Sequence, residues 1–282
     1  MPLLRRRLRE DAAQAAIRGL LESRAPAMIA RFGSTEIKAV LWPHLPWGLR
    51  RAAEHRVITN MTVASGFFPA MPAAIERFSG LMYDDMRQLD ILGSWRLEEY
   101  LFYLRLRSVQ MVPLTSLEPY LSARPWSETL EGRRVLVVHP FNRTIEYQYN
   151  SYRERLFEDD RVLPKFGSLA TIRAVQTIAG TKSGFPDWFA ALESMKAAMD
   201  AIDYDVAIIG CGAYGFPLAA HAKRQGRQAI HLGGATQILF GIRGNRWDAD
   251  PRISRLYNEW WVRPAAEDRV VGAERVENAC YW

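Results

Sequence analysis

The sequence of 282 residues predicts an α/β fold, a Rossmann-like and mainly parallel sheet with helices on both faces. From Arg133 onward, short apolar runs alternate with amphipathic stretches at helical spacing, which is typical of successive βαβ units. Glycine-containing turns follow several of the apolar runs, and open parallel sheets bind their ligands at such turns. We therefore expect a single domain over residues 1–282, with an irregular insertion at approximately 43–130.

The first half of the chain is predicted to form one strand between two helices before its pattern becomes irregular. "DAAQAAIRGLLESR" (Asp11–Arg24) starts with an aspartate and repeats apolar residues at helical spacing. "AMIA" (Ala27–Ala30) is predicted to be a short buried strand, and "IKAVLW" (Ile37–Trp42) the helix after the turn "RFGSTE". Within the insertion, aromatic-rich loops precede one predicted helix, "LEEYLFYLRL" (Leu97–Leu106), and one predicted strand, "SVQMVPL" (Ser108–Leu114).

The second half is predicted to alternate strands and helices. The predicted strands are "RRVLVV", "LATIRAVQTIAG", "DVAIIG" and "QAIHLGG". The predicted helices are "IEYQYNSYRERLF", "DWFAALESMKAAMDAI" (opened by Asp187), "FPLAAHAKRQG" (ended by Gly226) and "ATQILFGI". Because the carboxyl ends of parallel strands meet at one edge, the junctions "RFGSTE", "HPFNRT", "GCGAYG" and "GGATQ" should face the same rim.

The composition is that of an ordinary globular protein with an excess of positive charge. The chain has 37 Lys and Arg against 31 Asp and Glu, a net charge of +6, which favours anionic partners such as nucleotide phosphates. The arginines are spread along the chain and no RNA-binding motif occurs, so a nucleic-acid partner is not expected. The segment "LLRRRLRE" (Leu3–Glu10) leaves open a peripheral contact with the inner membrane, beside the alternative of a solvated basic helix end. Homo-oligomerisation also stays open.

The sequence predicts a cytoplasmic protein. Its N-terminus lacks the apolar region of a signal peptide, and no stretch approaches the roughly 18 apolar residues that a membrane span needs. The two cysteines, Cys211 and Cys280, offer neither zinc-ligand spacing nor a disulfide framework.

The turn "GCGAYG" has the spacing of a dinucleotide-binding motif, with Gly210, Gly212 and Gly215 after a strand and before a helix. Its glycines and Tyr214 are candidates for contact with a phosphate at the helix N-terminus. A dinucleotide site also needs an acid about 20 residues later, and none occurs between Gly215 and Asp248. The alternatives are a turn facing another phosphate-bearing ligand, a purely structural turn, and an enzyme that uses NAD(P) or S-adenosylmethionine.

A second glycine-rich junction follows one strand later. Gly233 and Gly234 free the backbone, and Gln237 could donate a hydrogen bond to a phosphate or a sugar. Further along, Arg246 beside Trp247 could clamp a pyrophosphate and stack on a ring. The alternative for this pair is a surface arginine next to a core tryptophan.

The first junction, "RFGSTE", spans Arg31, Phe32, Gly33, Ser34, Thr35 and Glu36. Arg31 at a strand end could neutralise a diphosphate, and Glu36 could ligate a divalent cation such as Mg²⁺ or Mn²⁺. The alternative is that Ser34 or Gly33 caps the following helix while Glu36 complements its dipole.

"RFGSTE" resembles the R-F-G-D-G-E type of motif in the GT-D fold glycosyltransferases, enzymes of bacterial surface-polysaccharide and glycoprotein assembly. "NMTVASGFFP" (Asn60–Pro69) resembles a following loop in that group. The block from "VLVVHPF" through the glycine-rich turns and "GIRGNRW" to the terminal "VENACYW" is similar to bacterial proteins of polysaccharide gene clusters with the same fold. The resemblance thus covers most of the chain.

The resemblance implies a nucleotide-sugar donor, often a UDP-sugar, bound with Mn²⁺ or Mg²⁺ at the carboxyl edge of the sheet. The acidic pair of that family is D-x-E, and Glu36 matches its glutamate whereas Ser34 occupies the position of its aspartate. Asp84, Asp85, Asp90 or the phosphates of the donor would then have to complete the metal shell. Transfer without metal, with Arg31 and Arg246 bearing the phosphate charge, is the alternative.

The resemblance also implies a glycan or lipid-linked glycan acceptor, whose hydroxyl needs a general base. His139 at a strand end and Glu146 in the next helix are the candidates; in the alternative interpretation His139 bonds to backbone and Glu146 pairs with an arginine such as Arg143. The predicted function is transfer of a sugar to a bacterial surface glycan. A non-catalytic nucleotide- or sugar-phosphate-binding subunit of the same assembly system is the second interpretation.

Overall fold

The computed structural model describes residues 8–269, 274 and 279–282, and a fully parallel sheet forms its centre. The strands are β1 (Ala27–Ala30), β2 (Ile91–Ser94), β3 (Gln110–Pro113), β4 (Arg134–His139), β5 (Ser168–Arg173), β6 (Val206–Ile209) and β7 (Gln228–His231). They are ordered β3-β2-β1-β7-β6-β4-β5 in one seven-stranded sheet, and every pair is parallel. The predicted α/β, Rossmann-like fold class is confirmed. The basic segment 1–7 and the 276–278 part of "VENACYW" lie outside the described residues.

Helices cover both faces of the sheet. They are α1 (Glu10–Glu22), α2 (Ser34–Leu41), α3 (Trp47–Val63), α4 (Pro72–Asp85), α5 (Tyr103–Leu106), α6 (Asn142–Tyr152), α7 (Trp188–Asp200), α8 (Gly215–Arg224), α9 (Ala235–Leu239), α10 (Asn245–Asp248) and α11 (Pro251–Ser254). The core beneath α2, α4, α7 and α8 contains Met28 and Ala30 of β1, whereas Ile29 points into the core beneath α1, α6 and α9. Strand residues alternate between two apolar cores because side chains point to opposite faces with a period of two. Within the described part of the chain, no helix is long and apolar enough to cross a bilayer.

The region 43–130, which we expected to be an irregular insertion, contributes to the same sheet. It contains α3, α4 and α5, and its strands β2 and β3 extend the sheet beyond β1. The strand β2 reads only "ILGS", four residues with a glycine, and Gly93 lets the sheet pack under Leu117: a Cβ there would lie 2.4 Å from Leu117 Cδ1. Such a short strand with a glycine gives almost no pattern of its own, which explains why the sequence did not predict it.

Two ion pairs tie helix α8 to the last residue of α4 and to the residue before β2. Lys223 Nζ donates to both carboxylate oxygens of Asp90, at 2.8 and 2.7 Å, and Arg224 Nη2 donates to Asp85 Oδ1 at 2.5 Å. Asp85 is 1% exposed, its Oδ2 has no hydrogen-bond partner, and burial raises the pKa of its carboxyl group to about 6. These carboxylates therefore have structural partners at the end of α8.

The register brings four strand ends together at one edge. Ile29 pairs with Ile230, and Val138 pairs with Ile209, so the residues after β1, β4, β6 and β7 emerge side by side. Helices α2 and α8 then pack on one face of the sheet, and α6 and α9 on the other. Neighbouring strands whose helices leave to opposite faces open a crevice at their carboxyl ends, which is where open α/β sheets bind ligands.

Candidate active site

A cavity of about 490 Å³ lies at this edge of the sheet. The four junctions that the sequence predicts to share a rim all contribute to its wall. The predicted site residues that line it are Arg31, Gly33, Ser34, Thr35, Glu36, His139, Gly210, Gly212, Tyr214, Gly233, Gly234, Gln237 and Arg246.

Two predicted binding residues lie behind the wall instead. Phe32 is 1% exposed, and its ring stacks on that of Phe216 with centroids 4.7 Å apart, so it supports the cavity from the core. Gly215 gives room to a buried side chain, because a Cβ there would lie 2.0 Å from Cε1 of His231. The third glycine of the motif therefore serves packing between α8 and β7.

Glu146, expected as a candidate base, is not among the residues that line the cavity. It lies on α6, and its Oε1 accepts a hydrogen bond of 2.5 Å from Thr171 Oγ1 on the edge strand β5. The phase of the helix turns this carboxylate toward β5, away from the shared rim. Its predicted pairing with Arg143 is not seen either.

Arg31 is the principal cation of the cavity. It follows β1, and its guanidinium carbon lies 5.0 Å from the centre of the Trp95 ring. It makes no ion pair with any residue that the structure describes, and burial lowers its pKa, whereas the nearby Glu36 carboxylate acts in the opposite direction to a smaller extent. A desolvated cation that forms no ion pair among the described residues is suited to an anionic ligand.

Arg246 provides a second cation, on α10. Its guanidinium carbon lies 5.0 Å from the ring centre of Tyr281 and 5.8 Å from that of Trp247, and all three residues line the cavity. The C-terminal Trp282 is 7% exposed, so the described end of the chain is part of the core beside the cavity. Arg246 and Trp247 thus lie together at the cavity wall, with Tyr281 beside them, and a role of this pair in binding a pyrophosphate stays a prediction.

The glycine turns allow backbone to approach backbone. Gly212 and Gly233 have φ angles of +57° and +64°, which favour glycine. A Cβ at Gly210 would lie 2.4 Å from Thr236 Oγ1 and 2.6 Å from the carbonyl oxygen of Gly233. A Cβ at Gly233 would lie 3.2 Å from Nη1 of Arg31, so this turn and the cation are in close contact.

Glu36 is held at the start of α2. Its Oε1 accepts a hydrogen bond of 2.8 Å from Ser65 Oγ, and a Cβ at Gly33 would lie 1.6 Å from its Oε2. Gly33 is therefore required for this position of the carboxylate. The arrangement also agrees with the alternative in which Glu36 complements the dipole of its own helix.

The residues present do not fit a divalent cation held by the protein. In the described ranges, Glu36 and Glu118 are the acids that line the cavity, and no three His, Cys, Asp or Glu side chains form a group able to hold a metal. Asp85 and Asp90 pair with α8, and Asp84 lies beside Arg87 on the exposed end of α4. Hard cations need several oxygen ligands, so Ser34 in place of an aspartate leaves too few.

The buried imidazole of His139 has no lone pair available for a general base. Its Nδ1 accepts a hydrogen bond of 3.0 Å from the backbone N–H of Phe141, which places the proton of the neutral ring on Nε2. Burial lowers the pKa of His139 to about 3. In this state His139 donates from Nε2 and is suited to bind a phosphate or hydroxyl oxygen.

His231 has the opposite tautomer. Its Nδ1 lies 3.2 Å from the carbonyl oxygen of Ile209, to which it donates, and burial together with nearby Arg31 lowers its pKa to about 3. His231 is therefore hydrogen-bonded to the backbone at the end of β7.

We expect both histidines to stay neutral from pH 5 to pH 8, with the proton on Nε2 in His139 and on Nδ1 in His231. Their pKa values near 3 place protonation below this range. Nitrogen-15 spectra of histidine-labelled protein, assigned with His139→Asn and His231→Asn, measure both charge and tautomer. A titration step of either ring between pH 5 and pH 8 would contradict the expectation.

Several residues that line the cavity were not among the predicted site residues. Glu118 follows the predicted strand "SVQMVPL" at the same rim, a position that could have identified it. Burial raises the pKa of Glu118 to about 7. Trp95 belongs to the aromatic-rich part of the first half and follows β2, which was not predicted. Ser65 lies in "NMTVASGFFP", and Thr177 lies in the predicted strand "LATIRAVQTIAG", which ends at Arg173 in the structure.

Comparison with known proteins gives two similar solved structures. The chain is similar to a glycosyltransferase (DUF1792) from Streptococcus sanguinis, with a TM-score of 0.46 and 11% identity over 92% of this chain and 98% of that chain. It is also similar to a selenomethionine-substituted domain of unknown function 1792, with a TM-score of 0.43 and 11% identity over 80% of this chain and 83% of that one. No family model and no curated protein matches the sequence.

Proposed function

We propose that this protein is a glycosyltransferase that moves a sugar from a nucleoside-diphosphate sugar, with uridine as the favoured base, to a glycan or lipid-linked glycan. The observation that carries the proposal is Arg31, a desolvated cation without an ion-pair partner among the described residues, facing a cavity edged by glycine turns. Its volume of about 490 Å³ lies within the range of roughly 300–1,000 Å³ that small-molecule sites occupy.

The diphosphate would contact Arg31 and the neighbouring turns at Gly212 and Gly233, where backbone can approach closely. The proton on His139 Nε2 adds a neutral donor on the same rim. Exposed ring surface beside the phosphate site is supplied by Trp95 and Tyr281, and aromatic faces suit both a nucleobase and a sugar.

We propose that transfer proceeds without a metal held by the protein. The acids that line the cavity among the described residues are too few for a hard cation, whereas Arg31 and Arg246 offer positive charge where the leaving diphosphate gains negative charge. Preorganised cations of this kind stabilise a transition state without proton transfer. The manganese or magnesium implied by the family resemblance is thus replaced by guanidinium groups in this proposal.

Calorimetry with uridine, guanosine and adenosine diphosphates, in EDTA and in Mn²⁺, tests both parts. We expect micromolar binding of uridine diphosphate that changes less than about threefold between EDTA and Mn²⁺. Glu36→Gln, which can keep the hydrogen bond to Ser65, is expected to bind equally well. Binding that needs Mn²⁺ and disappears in Glu36→Gln would restore the metal role. Absence of nucleotide binding would overturn the proposed function.

A non-catalytic nucleotide-binding subunit is the second candidate. Ser34 in the position of the family's aspartate favours it, as does the position of Glu146 outside the cavity. Release of uridine diphosphate from UDP-glucose and UDP-N-acetylglucosamine separates the candidates, because a binding subunit would hold these compounds without turnover.

A further inference from the structure

We propose that Glu118 is the general base that deprotonates the acceptor hydroxyl, an inference that rests on the proposed function. The residue follows β3 and a 3₁₀ turn at Leu114–Leu117, and it lines the cavity together with Leu114 and Trp95. No motif in the sequence marks it.

The order of the strands places Glu118 across Arg31 from the phosphate turns. Along the rim, β3 and β2 lie on one side of β1, and β7, β6 and β4 lie on the other. Arg31 follows β1 and is therefore between the wall with Glu118 and the wall with Gly233 and Gly210. A donor whose diphosphate contacts Arg31 and Gly233 would have room for the acceptor on the Glu118 side.

The surroundings of Glu118 suit a base that works near neutral pH. Burial is the largest influence and raises its pKa to about 7, while Arg252, Tyr120 and Arg31 act in the opposite direction and Asp250 adds to the rise. Tyr120 stays protonated behind it, because burial and the Glu118 carboxylate raise the pKa of Tyr120 well above its ordinary value. General bases are most effective when their pKa lies near the working pH.

The other candidates for this role are held by neighbouring groups or lie outside the cavity. His139 uses its only lone pair to accept from Phe141, and Glu146 lies outside the cavity. Glu36 accepts from Ser65 and is confined against Gly33. Among the described residues that line the cavity, this leaves Glu118 as the carboxylate on the acceptor side.

The reaction step balances without a further reagent. The acceptor oxygen forms a bond to the anomeric carbon of the donor sugar as the carboxylate of Glu118 takes the proton of that hydroxyl. The bond from the anomeric carbon to the diphosphate oxygen breaks, and its electron pair leaves with the nucleoside diphosphate, whose added charge faces Arg31 and Arg246. Glu118 then returns its proton to water.

Donor binding should also shift the protonation equilibrium of Glu118. A diphosphate that contacts Arg31 cancels the positive field that lowers the pKa of Glu118, so the carboxyl group should take up protons as the nucleotide binds. Near pH 7, Glu118 can take up at most about half a proton when the nucleotide binds.

The test compares wild type with Glu118→Gln, and uses Glu128→Gln, a residue that pairs with Arg18 and does not line the cavity, as the matched control. Turnover of UDP-glucose and UDP-N-acetylglucosamine is measured from pH 5 to pH 9, and proton uptake is measured by calorimetry of uridine diphosphate in buffers of different ionisation enthalpy. We expect Glu118→Gln to lower kcat by about 10²–10⁴-fold while nucleotide affinity changes less than about threefold. The wild-type kcat/KM should rise with pH to a plateau with a midpoint near 7, the midpoint of kcat should lie higher because bound donor raises the pKa of Glu118, and the extra proton uptake should be lost in Glu118→Gln.

Three results overturn the proposal. A kcat of Glu118→Gln within threefold of wild type removes Glu118 from catalysis while the proposed function stands. A wild-type kcat that is flat from pH 5 to pH 9 does the same without relying on any variant. Absence of nucleotide binding or turnover in wild type overturns the proposed function itself, and the role of Glu118 with it.

Discussion

Arg31→Met is expected to weaken the binding of uridine diphosphate by about 10- to 150-fold. This range corresponds to the roughly 1.5–3 kcal/mol of a hydrogen bond to a charged group. The loss should be large because Arg31 has no competing ion pair among the described residues and touches the Gly233 turn. Calorimetry at constant ionic strength measures the effect.

Two controls make this expectation specific to phosphate. Uridine lacks the diphosphate, so its weaker binding should be almost the same in Arg31→Met and wild type. Arg107→Met removes an exposed arginine before β3, at the opposite edge of the sheet, and should leave uridine diphosphate binding unchanged. An equal loss for uridine, or no loss at all, would contradict the assignment.

The same substitution should raise the midpoint of thermal unfolding of the ligand-free protein. Burial lowers the pKa of Arg31, which means that holding its charge in this position costs free energy in the folded state. Methionine fills similar space without a charge and keeps contact with the Trp95 ring. Lower affinity combined with higher stability is typical of a residue retained for function.

Arg224→Met is expected to destabilise the fold by about 3 kcal/mol at pH 8. This lies at the lower end of the range for breaking a buried ion pair, because Arg224 is 40% exposed whereas Asp85 is 1% exposed. Without Arg224, the Asp85 carboxylate keeps an unpaired charge in the apolar interface between α4 and α8. Denaturant unfolding measures the free energy of unfolding.

The effect should depend on pH. The folded-state pKa of Asp85, about 6, lies above its ordinary value of 3.8. Below pH 6 the Asp85 carboxyl group is therefore neutral in the folded protein, and the loss of Arg224 leaves little unpaired charge. The destabilisation by Arg224→Met should therefore be smaller at pH 5 than at pH 8. Arg87→Met breaks an exposed pair with Asp84, 61% and 68% exposed, and should cost less than about 1 kcal/mol at either pH. An equal loss for Arg224→Met at pH 5 and pH 8 would contradict the role of the Asp85 charge.

The sequence predicts the fold well where one local pattern decides the structure. "AMIA" is fully buried, as a strand between two helical layers must be, and it forms β1 with the predicted bounds. Asp187 was predicted to open a helix, and its carboxylate accepts the N–H of Ala190 at 2.7 Å as an N-cap. The strand β2 was missed because its four residues become a strand only through the neighbours β1 and β3.

The candidate site could be predicted only as far as strand ends indicate a shared edge. Arg31, His139 and Gly210 follow apolar strands, and they meet at the cavity as the parallel arrangement requires. The sequence does not show that Phe32 points into the core or that Glu146 points toward β5. Contacts with Phe216 and Thr171, which form only in the folded protein, decide these two directions. The tautomer of His139 likewise depends on a backbone N–H that only the folded turn positions.

The pairing of β1 with β7 has a consequence for how the protein reaches its native state. These two strands, paired through Ala27–Gln228, Met28–Ala229 and Ile29–Ile230, join one half of the sheet, β1 to β3, to the other, β4 to β7. About 200 residues separate them in the chain, so a ribosome needs roughly 10–40 s after β1 to complete β7. During this time the edge of β1 that will pair with β7 is unpaired. The large separation of these two strands along the chain makes the joining step slow. Since Arg31 and Glu118 belong to the early half and the glycine turns to the late half, gain of nucleotide binding would report the moment at which the two halves join.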